Sequence, residues 1–184
     1  MKYNSIIISG LPLTGKSTLA KELSKVFNWK IHSVGNLFKK KWHTLYPNQE
    51  ISFEQYWRNT SLEENKQIDE ATKKLFEKEN LIGDFRYSIC YKNLNVLLVL
   101  VTADLNIRIK RAQQSERYLG KSYDEIKNIL LEREKDEVTK GKLLYGENYD
   151  FRNPNNYHLT LDLGKLTTEE AVKIIKKVVN FNAD

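Results

Sequence analysis

The sequence predicts an α/β fold in which helices flank both faces of a five-stranded, mostly parallel sheet. Short apolar and β-branched runs alternate along the chain with longer segments whose apolar residues recur at helical spacing. That alternation is typical of parallel strands joined by crossover helices. The longest apolar run, residues 96–101, suits a central parallel strand and is far too short to cross a membrane.

Five strands and four helix starts follow from this pattern. The predicted strands are residues 5–9, 30–34, 81–84, 95–102 and 157–162. Four predicted helices begin with a Ser/Thr-x-x-Glu/Gln box, whose side chains satisfy free N–H groups at a helix N-terminus. The boxes pair Ser52 with Gln55, Ser61 with Glu64, Ser122 with Glu125 and Thr167 with Glu170.

Two segments interrupt the alternation of strands and helices. Residues 36–80 form a mostly helical insertion between the second and third strands, and residues 105–150 form a mixed-charge segment after the fourth. Ligands of open α/β sheets bind at the carboxyl ends of the strands. We therefore expect both segments to close over a ligand at that edge, within a single domain of residues 1–184.

The composition limits the setting and the cofactors. The first predicted strand begins within a few residues of the N-terminus, and we therefore expect no secretory signal. One cysteine, Cys90, excludes an internal disulfide or a Cys-rich zinc site, and the three histidines show no metal-ligand spacing. We expect a cytoplasmic monomer without a membrane segment, with Mg²⁺ as its metal.

The net charge of +6 is compatible with two kinds of partner. It can reflect binding to nucleic acid, or a protein that handles two phosphorylated ligands at once. Basic residues are spread along the chain and alternate with acids, as in residues 132–137. This spread favours a solvated, mixed-charge helical face over a nucleic-acid surface.

The segment Gly10-Leu-Pro-Leu-Thr-Gly15-Lys16-Ser17 directly follows the first predicted strand. Two glycines five apart, then Lys and Ser, form a phosphate-binding loop, in which backbone N–H groups surround the phosphates. The Lys16 ammonium would lie between the outer two phosphates, and the Ser17 hydroxyl would ligate Mg²⁺. The loop predicts binding of a nucleoside triphosphate, ATP, by Gly10, Thr14, Gly15, Lys16, Ser17 and Thr18.

Beyond this loop, the chain resembles the nucleoside monophosphate kinases and is most similar to the archaeal-type cytidylate kinases. The resemblance rests on four further segments. Residues 31–39, with Ser33, Gly35, Asn36 and Lys39, resemble the start of the monophosphate pocket, and residues 51–55 with the helix around Asp69 resemble the monophosphate-binding insertion. Residues 81–86 match a strand that ends in an acid, Asp84, and is followed by an arginine, Arg86. Arg108 and Arg111 match the start of the family's lid, and Arg133 matches its far side.

The resemblance implies a P-loop kinase fold with a helical monophosphate-binding insertion at 36–80 and a short lid within 105–150. It implies transfer of the ATP γ-phosphoryl group, with Mg²⁺, to a nucleoside monophosphate such as CMP or dCMP. The expected catalytic residues are Lys16, Asp84, Arg111 and Arg133, and the expected metal ligands are Ser17 and Asp84. Arg108 is expected to bind the donor, and Ser33, Gly35, Lys39, Asp69 and Arg86 are expected to bind the acceptor.

Three departures from the family pattern leave the acceptor open. Asn36 replaces the usual acid, and Lys39 stands where an arginine would make a planar, two-pronged phosphate contact. A second lid arginine near Val138 is missing, and Lys140 or Lys142 can substitute for it. Two alternatives therefore remain: a kinase of another acceptor, such as a nucleic-acid 5′-hydroxyl or a small metabolite, and a nucleotide-binding protein with little turnover.

Overall fold

The computed structural model describes residues 3–180 and contains one five-stranded sheet. Its strands are β1 (Ser5–Ser9), β2 (Lys30–Ser33), β3 (Leu81–Asp84), β4 (Val96–Thr102) and β5 (Leu159–Asp162). They lie in the order β2-β3-β1-β4-β5, and every neighbouring pair is parallel. The predicted α/β class is confirmed, and the sheet is parallel throughout the described residues rather than mostly parallel.

Seven helices surround this sheet in the described part of the chain. They are α1 (Lys16–Phe27), α2 (Val34–Leu45), α3 (Phe53–Asn59), α4 (Leu62–Lys78), α5 (Leu105–Gln113), α6 (Tyr123–Tyr145) and α7 (Thr168–Asn180). The four predicted helix starts are confirmed at α3, α4, α6 and α7, and both bonds of the box form at α3, α6 and α7. At α4 the Ser61 side chain accepts from the Glu64 N–H. None of the helices among residues 3–180 combines the length and apolarity that crossing a membrane requires.

The central strands β1 and β4 are buried on both faces, which explains why their sequences are continuous apolar runs. Ile6 and Ile8 of β1 face one core, which is built with residues of α1 and α7. Ile7 faces the other core, together with Phe76 of α4 and Tyr91. The carboxyl end of β1, where the phosphate-binding loop begins, is therefore held from both sides.

The strand ends differ slightly from the prediction. β2 ends at Ser33 instead of residue 34, because the Ser33 side chain caps α2 by accepting the Asn36 N–H at 3.4 Å. The helical insertion consequently begins at Val34, two residues earlier than expected. β4 begins one residue later than predicted, at Val96, and β5 two residues later, at Leu159.

The insertion and the lid segment each have a small apolar core of their own. In the insertion, Phe38, Trp42 and Tyr56 pack together. In the lid segment, Tyr118 packs with residues of α5 and α6, such as Ile109 and Ile126. Because these cores are separate from those of the sheet, both segments are distinct units on a shared base.

Gly83 in β3 allows close packing between the sheet and α4. A Cβ atom there would lie 2.6 Å from Phe85 Cε1 and 3.0 Å from Ile7 Cγ1. Overpacking of this kind typically costs about 1–3 kcal/mol. We expect Gly83→Ala to lower the free energy of unfolding by about that amount, measured by urea denaturation.

Gly35→Ala is the matched control for this prediction. The nearest atom to a Cβ at Gly35 is Ser33 Oγ at 3.9 Å, and Gly35 lies in the first turn of α2. This variant should keep its stability or gain slightly, because alanine favours helix more than glycine does. Equal losses in both variants would contradict the packing explanation.

Candidate active site

A cavity of about 680 Å³ opens at the carboxyl edge of the sheet, a size typical of small-molecule sites. Its walls come from the phosphate-binding loop, the helical insertion, the end of β3 and the lid segment. Nine of the residues singled out from the sequence line it: Lys16, Ser17, Ser33, Gly35, Lys39, Asp69, Asp84, Arg86 and Arg133. The two segments that interrupt the α/β pattern thus share one cavity with the loop.

The phosphate-binding loop is fixed by one close approach and one buried lysine. Gly10 has φ of 145°, and a Cβ atom there would lie 2.2 Å from the Val101 carbonyl oxygen of β4, so no other residue fits. The Lys16 ammonium donates to the carbonyls of Gly10 at 2.7 Å and Leu11 at 2.8 Å, which closes the loop. Burial, assisted by the nearby charge of Arg86, lowers the pKa of Lys16 to about 7. An anion bound in the loop would favour the charged ammonium.

Ser17 and Asp84 offer oxygen atoms side by side. Ser17 Oγ donates a 2.6 Å hydrogen bond to Asp84 Oδ2, and Asp84 ends β3 next to β1. Magnesium is usually held by one or two such oxygens together with substrate phosphates. Among residues 3–180, no three His, Cys, Asp or Glu side chains gather as a metal site. By their oxygen chemistry, Ser17 and Asp84 fit the part of such a site that the protein supplies.

The carboxylate of Glu137 in α6 holds two arginines of the cavity together. Glu137 is only 1% exposed, and its Oε1 accepts from Arg133 Nε at 2.9 Å while its Oε2 accepts from Arg86 Nε. The Tyr87 hydroxyl also donates to the Glu137 carbonyl at 2.7 Å. Both arginines use Nε for this contact, which leaves the terminal guanidinium nitrogens for a ligand in the cavity.

Asp69 of α4 also lines the cavity, one helical turn after Asn65, which lines it too. The Tyr145 hydroxyl donates to Asp69 Oδ2, which leaves the second carboxylate oxygen, Oδ1, for a ligand. Burial raises the pKa of Asp69 to about 6. This carboxyl group therefore changes charge near neutral pH.

Arg108 and Arg111 lie behind the phosphate-binding loop and do not line the cavity. Arg108 Nε donates to the Pro12 carbonyl at 3.0 Å, and Arg111 Nη1 donates to the Leu13 and Thr14 carbonyls at 3.1 and 2.9 Å. A loop that turns its N–H groups inward directs carbonyls outward, and these donors satisfy them. In this structure the two predicted lid arginines position the loop; the roles predicted for them in catalysis and donor binding stay predictions.

The other residues expected to bind the donor, Thr14, Gly15 and Thr18, do not line the cavity. Thr14 is 1% exposed, and its Oγ1 donates to the Leu11 carbonyl at 2.9 Å. Gly15 has φ of 103° and immediately precedes α1, while Thr18 lies in the first turn of that helix. Their predicted contribution to donor binding would therefore come through the loop backbone.

The lysines suggested as substitutes for the missing lid arginine, Lys140 and Lys142, do not line the cavity, and their role stays a prediction. Lys140 Nζ donates to the Trp57 carbonyl at 2.6 Å and to Thr60 Oγ1 at 2.5 Å. Lys142 ion-pairs with Glu147 at 3.9 Å. Through these contacts Lys140 ties the lid segment to the end of α3.

The residues of the cavity wall that the sequence did not single out include Tyr87, Arg117 and Glu137. One signal was available, because Arg133 and Glu137 are four residues apart and share a face of α6. Arg117 carries no such signal. It lies in a 3₁₀ turn, Glu116–Tyr118, whose position depends on how α5 packs against α6.

The family model that matches this chain agrees with the names of several similar proteins. The model of the cytidylate kinase-like family matches residues 5–165. The cytidylate kinase of Methanosarcina mazei is 26% identical over 182 residues, covering 95% of this chain and 96% of that protein. The cytidylate kinase of Methanosphaera stadtmanae is 30% identical over 180 residues, with the same coverage of 95% and 96%.

One further relative is much longer than this chain, and one solved structure shares its fold at low sequence identity. The S-adenosylmethionine-dependent nucleotide dehydratase of Lacinutrix mariniflava is 28% identical over 92% of this chain, but the chain spans only 34% of that protein. The shikimate kinase from Bacteroides thetaiotaomicron has a TM-score of 0.58 at 16% identity, covering 96% of this chain and 98% of that one. At this identity the likeness concerns the fold alone, which is that of a P-loop kinase.

The burial of Glu137 between two arginines yields a stability prediction. Removing one partner of a buried ion pair typically costs about 3–5 kcal/mol, because the other charge stays uncompensated. We expect Glu137→Gln to lower the free energy of unfolding by about 3 kcal/mol in low-salt buffer. Sulfate should restore part of this loss at an ionic strength where chloride does not, since it can pair with the released guanidinium groups.

Glu132→Gln is the control, because Glu132 lines the same cavity from the same helix but is exposed. Its loss should change the unfolding free energy by less than about 0.5 kcal/mol. Equal stability of the two variants in urea denaturation would show that Glu137 does not hold the arginines together.

Proposed function

The chain belongs to the cytidylate kinase-like family, and from that premise we propose that it transfers the γ-phosphoryl group of ATP to a nucleoside monophosphate, CMP or dCMP. One observation carries the proposal most strongly. The cavity brings the phosphate-binding loop and the Arg86–Glu137–Arg133 group to one space. Two separate cationic sites are what a reaction between two phosphorylated ligands requires.

On the donor side, the loop N–H groups and Lys16 would bind the triphosphate. The Ser17 and Asp84 oxygens would hold Mg²⁺, which would neutralise charge on the outer phosphates when bound. Asp84 is also close enough to Lys16 to raise the pKa of its ammonium group, whereas burial lowers that pKa. Arg108 and Arg111 would act on this side by keeping the loop in place.

On the acceptor side, Arg86 and Arg133 would grip the phosphate and stabilise the charge that develops on the transferred group. Glu137 keeps both guanidinium groups in place before a ligand arrives, so that little reorganisation is needed. Lys39 faces the same region and adds one further positive charge. This arrangement suits an acceptor that already carries a phosphate better than one that carries only a hydroxyl.

The base of the acceptor would lie toward Asp69, with Asn65, Trp57 and Ser33 in the surrounding wall. A carboxylate accepts hydrogen bonds, and the exocyclic amine of cytosine donates them. Uracil presents a carbonyl oxygen at the same position and would face the carboxylate unfavourably. Asp69 therefore supports cytosine over uracil as the proposed acceptor base.

Water is excluded from such a site when the insertion and the lid segment meet. Arg58 of α3 contacts Asp136 of α6 at 2.6 Å, and Lys140 binds the end of α3. Transfer to a second substrate instead of to water requires a closed site of this kind. We include in the proposal a single-domain cytoplasmic monomer whose partners are small phosphorylated molecules.

The first experiment incubates the protein with γ-labelled ATP and Mg²⁺ and a panel of acceptors. The panel holds CMP, dCMP, UMP, AMP, GMP, dTMP, a 5′-hydroxyl oligonucleotide and shikimate. We expect rapid labelling of CMP or dCMP, and an Arg133→Ala variant should lose about 10³-fold in turnover, as for other arginines that act on a transferred phosphoryl group.

Lys135→Ala is the control for Arg133→Ala. Lys135 lies two residues further along α6, is exposed and does not line the cavity. Its loss should leave turnover within about twofold of wild type, as for most surface substitutions. Label on the oligonucleotide or on shikimate alone would contradict the proposed acceptor, and an Arg133→Ala variant as active as Lys135→Ala would remove Arg133 from the reaction.

The raised pKa of Asp69, about 6, gives a pH-dependent preference for the base. Above pH 6 the carboxylate only accepts hydrogen bonds and favours cytosine, whereas below pH 6 the neutral acid can also donate to uracil. The ratio of kcat/KM for CMP over UMP should fall at least about tenfold between pH 7.5 and pH 5. Ionisation of the acceptor phosphate is common to both nucleotides and cancels in the ratio.

Asp69→Asn provides the control for this pH dependence. The amide does not titrate, so the ratio of the two acceptors should stay constant across the same pH range. A ratio that falls equally in wild type and in Asp69→Asn would mean that a group other than Asp69 distinguishes cytosine from uracil.

A further inference from the structure

Arg117 lines the cavity, and the proposed reaction as described above gives it no role. It lies in the 3₁₀ turn Glu116–Tyr118 between α5 and α6. Its neighbour Tyr118 is buried in the small core of the lid segment, which fixes the backbone of the turn. Arg117 therefore has a defined position at the cavity and is not a freely moving surface arginine.

Three cationic side chains of the cavity lie close enough to repel one another: Lys39, Arg117 and Arg133. Partial desolvation lowers the pKa of Lys39, and the charges of Arg117 and Arg133 lower it further. The pKa of Arg117 is lowered by its own desolvation and by Arg133, whereas the charge of Glu137 raises it. Asp84 likewise raises the pKa of Lys39, but on balance the pKa of each group is lowered. An anion bound between these cations would relieve the remaining repulsion. The cavity walls thus present three positive side chains, one from the insertion and two from the lid segment, to an anionic ligand.

Arg117 pairs with the carboxylate of Glu54, and this ion pair is exposed and weak. Arg117 Nη2 ion-pairs with Glu54 Oε1 of α3, and the two side chains are 40% and 37% exposed. Ion pairs with this exposure are weak, typically contributing about 0–1 kcal/mol. By contrast, Glu137, the partner of Arg86 and Arg133, is buried and cannot leave without a large cost.

The chemistry of the three cations favours a phosphate as the ligand. Lys39 supplies a point charge, and Arg133 has one edge occupied by Glu137. Arg117 can turn its planar fork from the Glu54 carboxylate to phosphate oxygens, which have similar geometry and more charge. Lys39 and Glu54 belong to the helical insertion, so the phosphate in question is the one on the acceptor side.

We propose that Arg117 is a further ligand of the acceptor phosphate, which it reaches by exchanging its ion pair with Glu54 for the bound nucleoside monophosphate. This inference rests on the proposed function, because it takes a nucleoside monophosphate as the acceptor. Glu54 acts as a counter-ion that holds Arg117 at the cavity until the acceptor arrives.

Two substitutions that break the same ion pair test the proposal. Arg117→Gln removes the phosphate ligand and should raise the acceptor KM about 10–100-fold, with the ATP KM changed less than about twofold. Glu54→Gln frees Arg117 and should leave the acceptor KM unchanged or lower. If the ion pair merely stabilised the fold, both variants would change the acceptor KM in the same direction. That outcome would overturn the proposal.

Lys121→Gln is the control for loss of positive charge, because Lys121 is an exposed cation that lines the same cavity a few residues after Arg117. It should not change the acceptor KM by more than about twofold. An effect as large as that of Arg117→Gln would mean that acceptor binding depends on the total positive charge of the cavity and not on Arg117 in particular. That outcome would also overturn the proposal.

Calorimetric binding of CMP in the absence of ATP separates this proposal from the proposed function. Weaker binding to Arg117→Gln than to wild type supports the role of Arg117 even if no transfer is detected, in which case the proposed reaction alone fails. Equal binding to both proteins overturns the role of Arg117 alone. Absence of CMP binding by the wild-type protein overturns both.

Discussion

The chain that leaves β1 passes so close to β4 that a single Cβ atom at Gly10 would collide with the Val101 carbonyl. From this contact the phosphate-binding loop turns back on itself, and the Lys16 ammonium closes the loop on its own carbonyls. Burial of β1 on both faces makes the turn rigid, and α1 begins from it in a fixed direction. The positions of Ser17, and through it of Asp84, depend on that direction.

Charged contacts hold the lid segment against the sheet and the insertion on the other side of the cavity. The buried carboxylate of Glu137 joins an arginine that follows β3 to one on α6, so the lid segment is attached to the sheet through charge. Arg58 and Lys140 attach the same helix to the insertion. The apolar cores of insertion and lid are small and separate, so charged contacts set the distance between them. Such contacts can be exchanged for those of an anionic ligand.

Local signals in the sequence predicted most of the fold and several residues that line the cavity. The loop motif identified Lys16 and Ser17, and the acid at the end of β3 identified Asp84, because each depends on short spacing or on a strand end. The helix boxes predicted four helix starts for the same reason. The roles of Lys140 and Arg117 were not predictable, because both depend on which side of the lid segment faces the cavity.

By itself, the sequence determined the α/β class, the strands, the phosphate-binding loop and the family resemblance, since these follow from periodicity and from contiguous motifs. Only the tertiary structure decided that α5 turns Arg108 and Arg111 toward the loop carbonyls. It also decided that Glu137, 51 residues beyond Arg86 along the chain, becomes that arginine's counter-ion. The physical reason is that a charged side chain has no periodic signature, and its partner is set by the packing of distant helices.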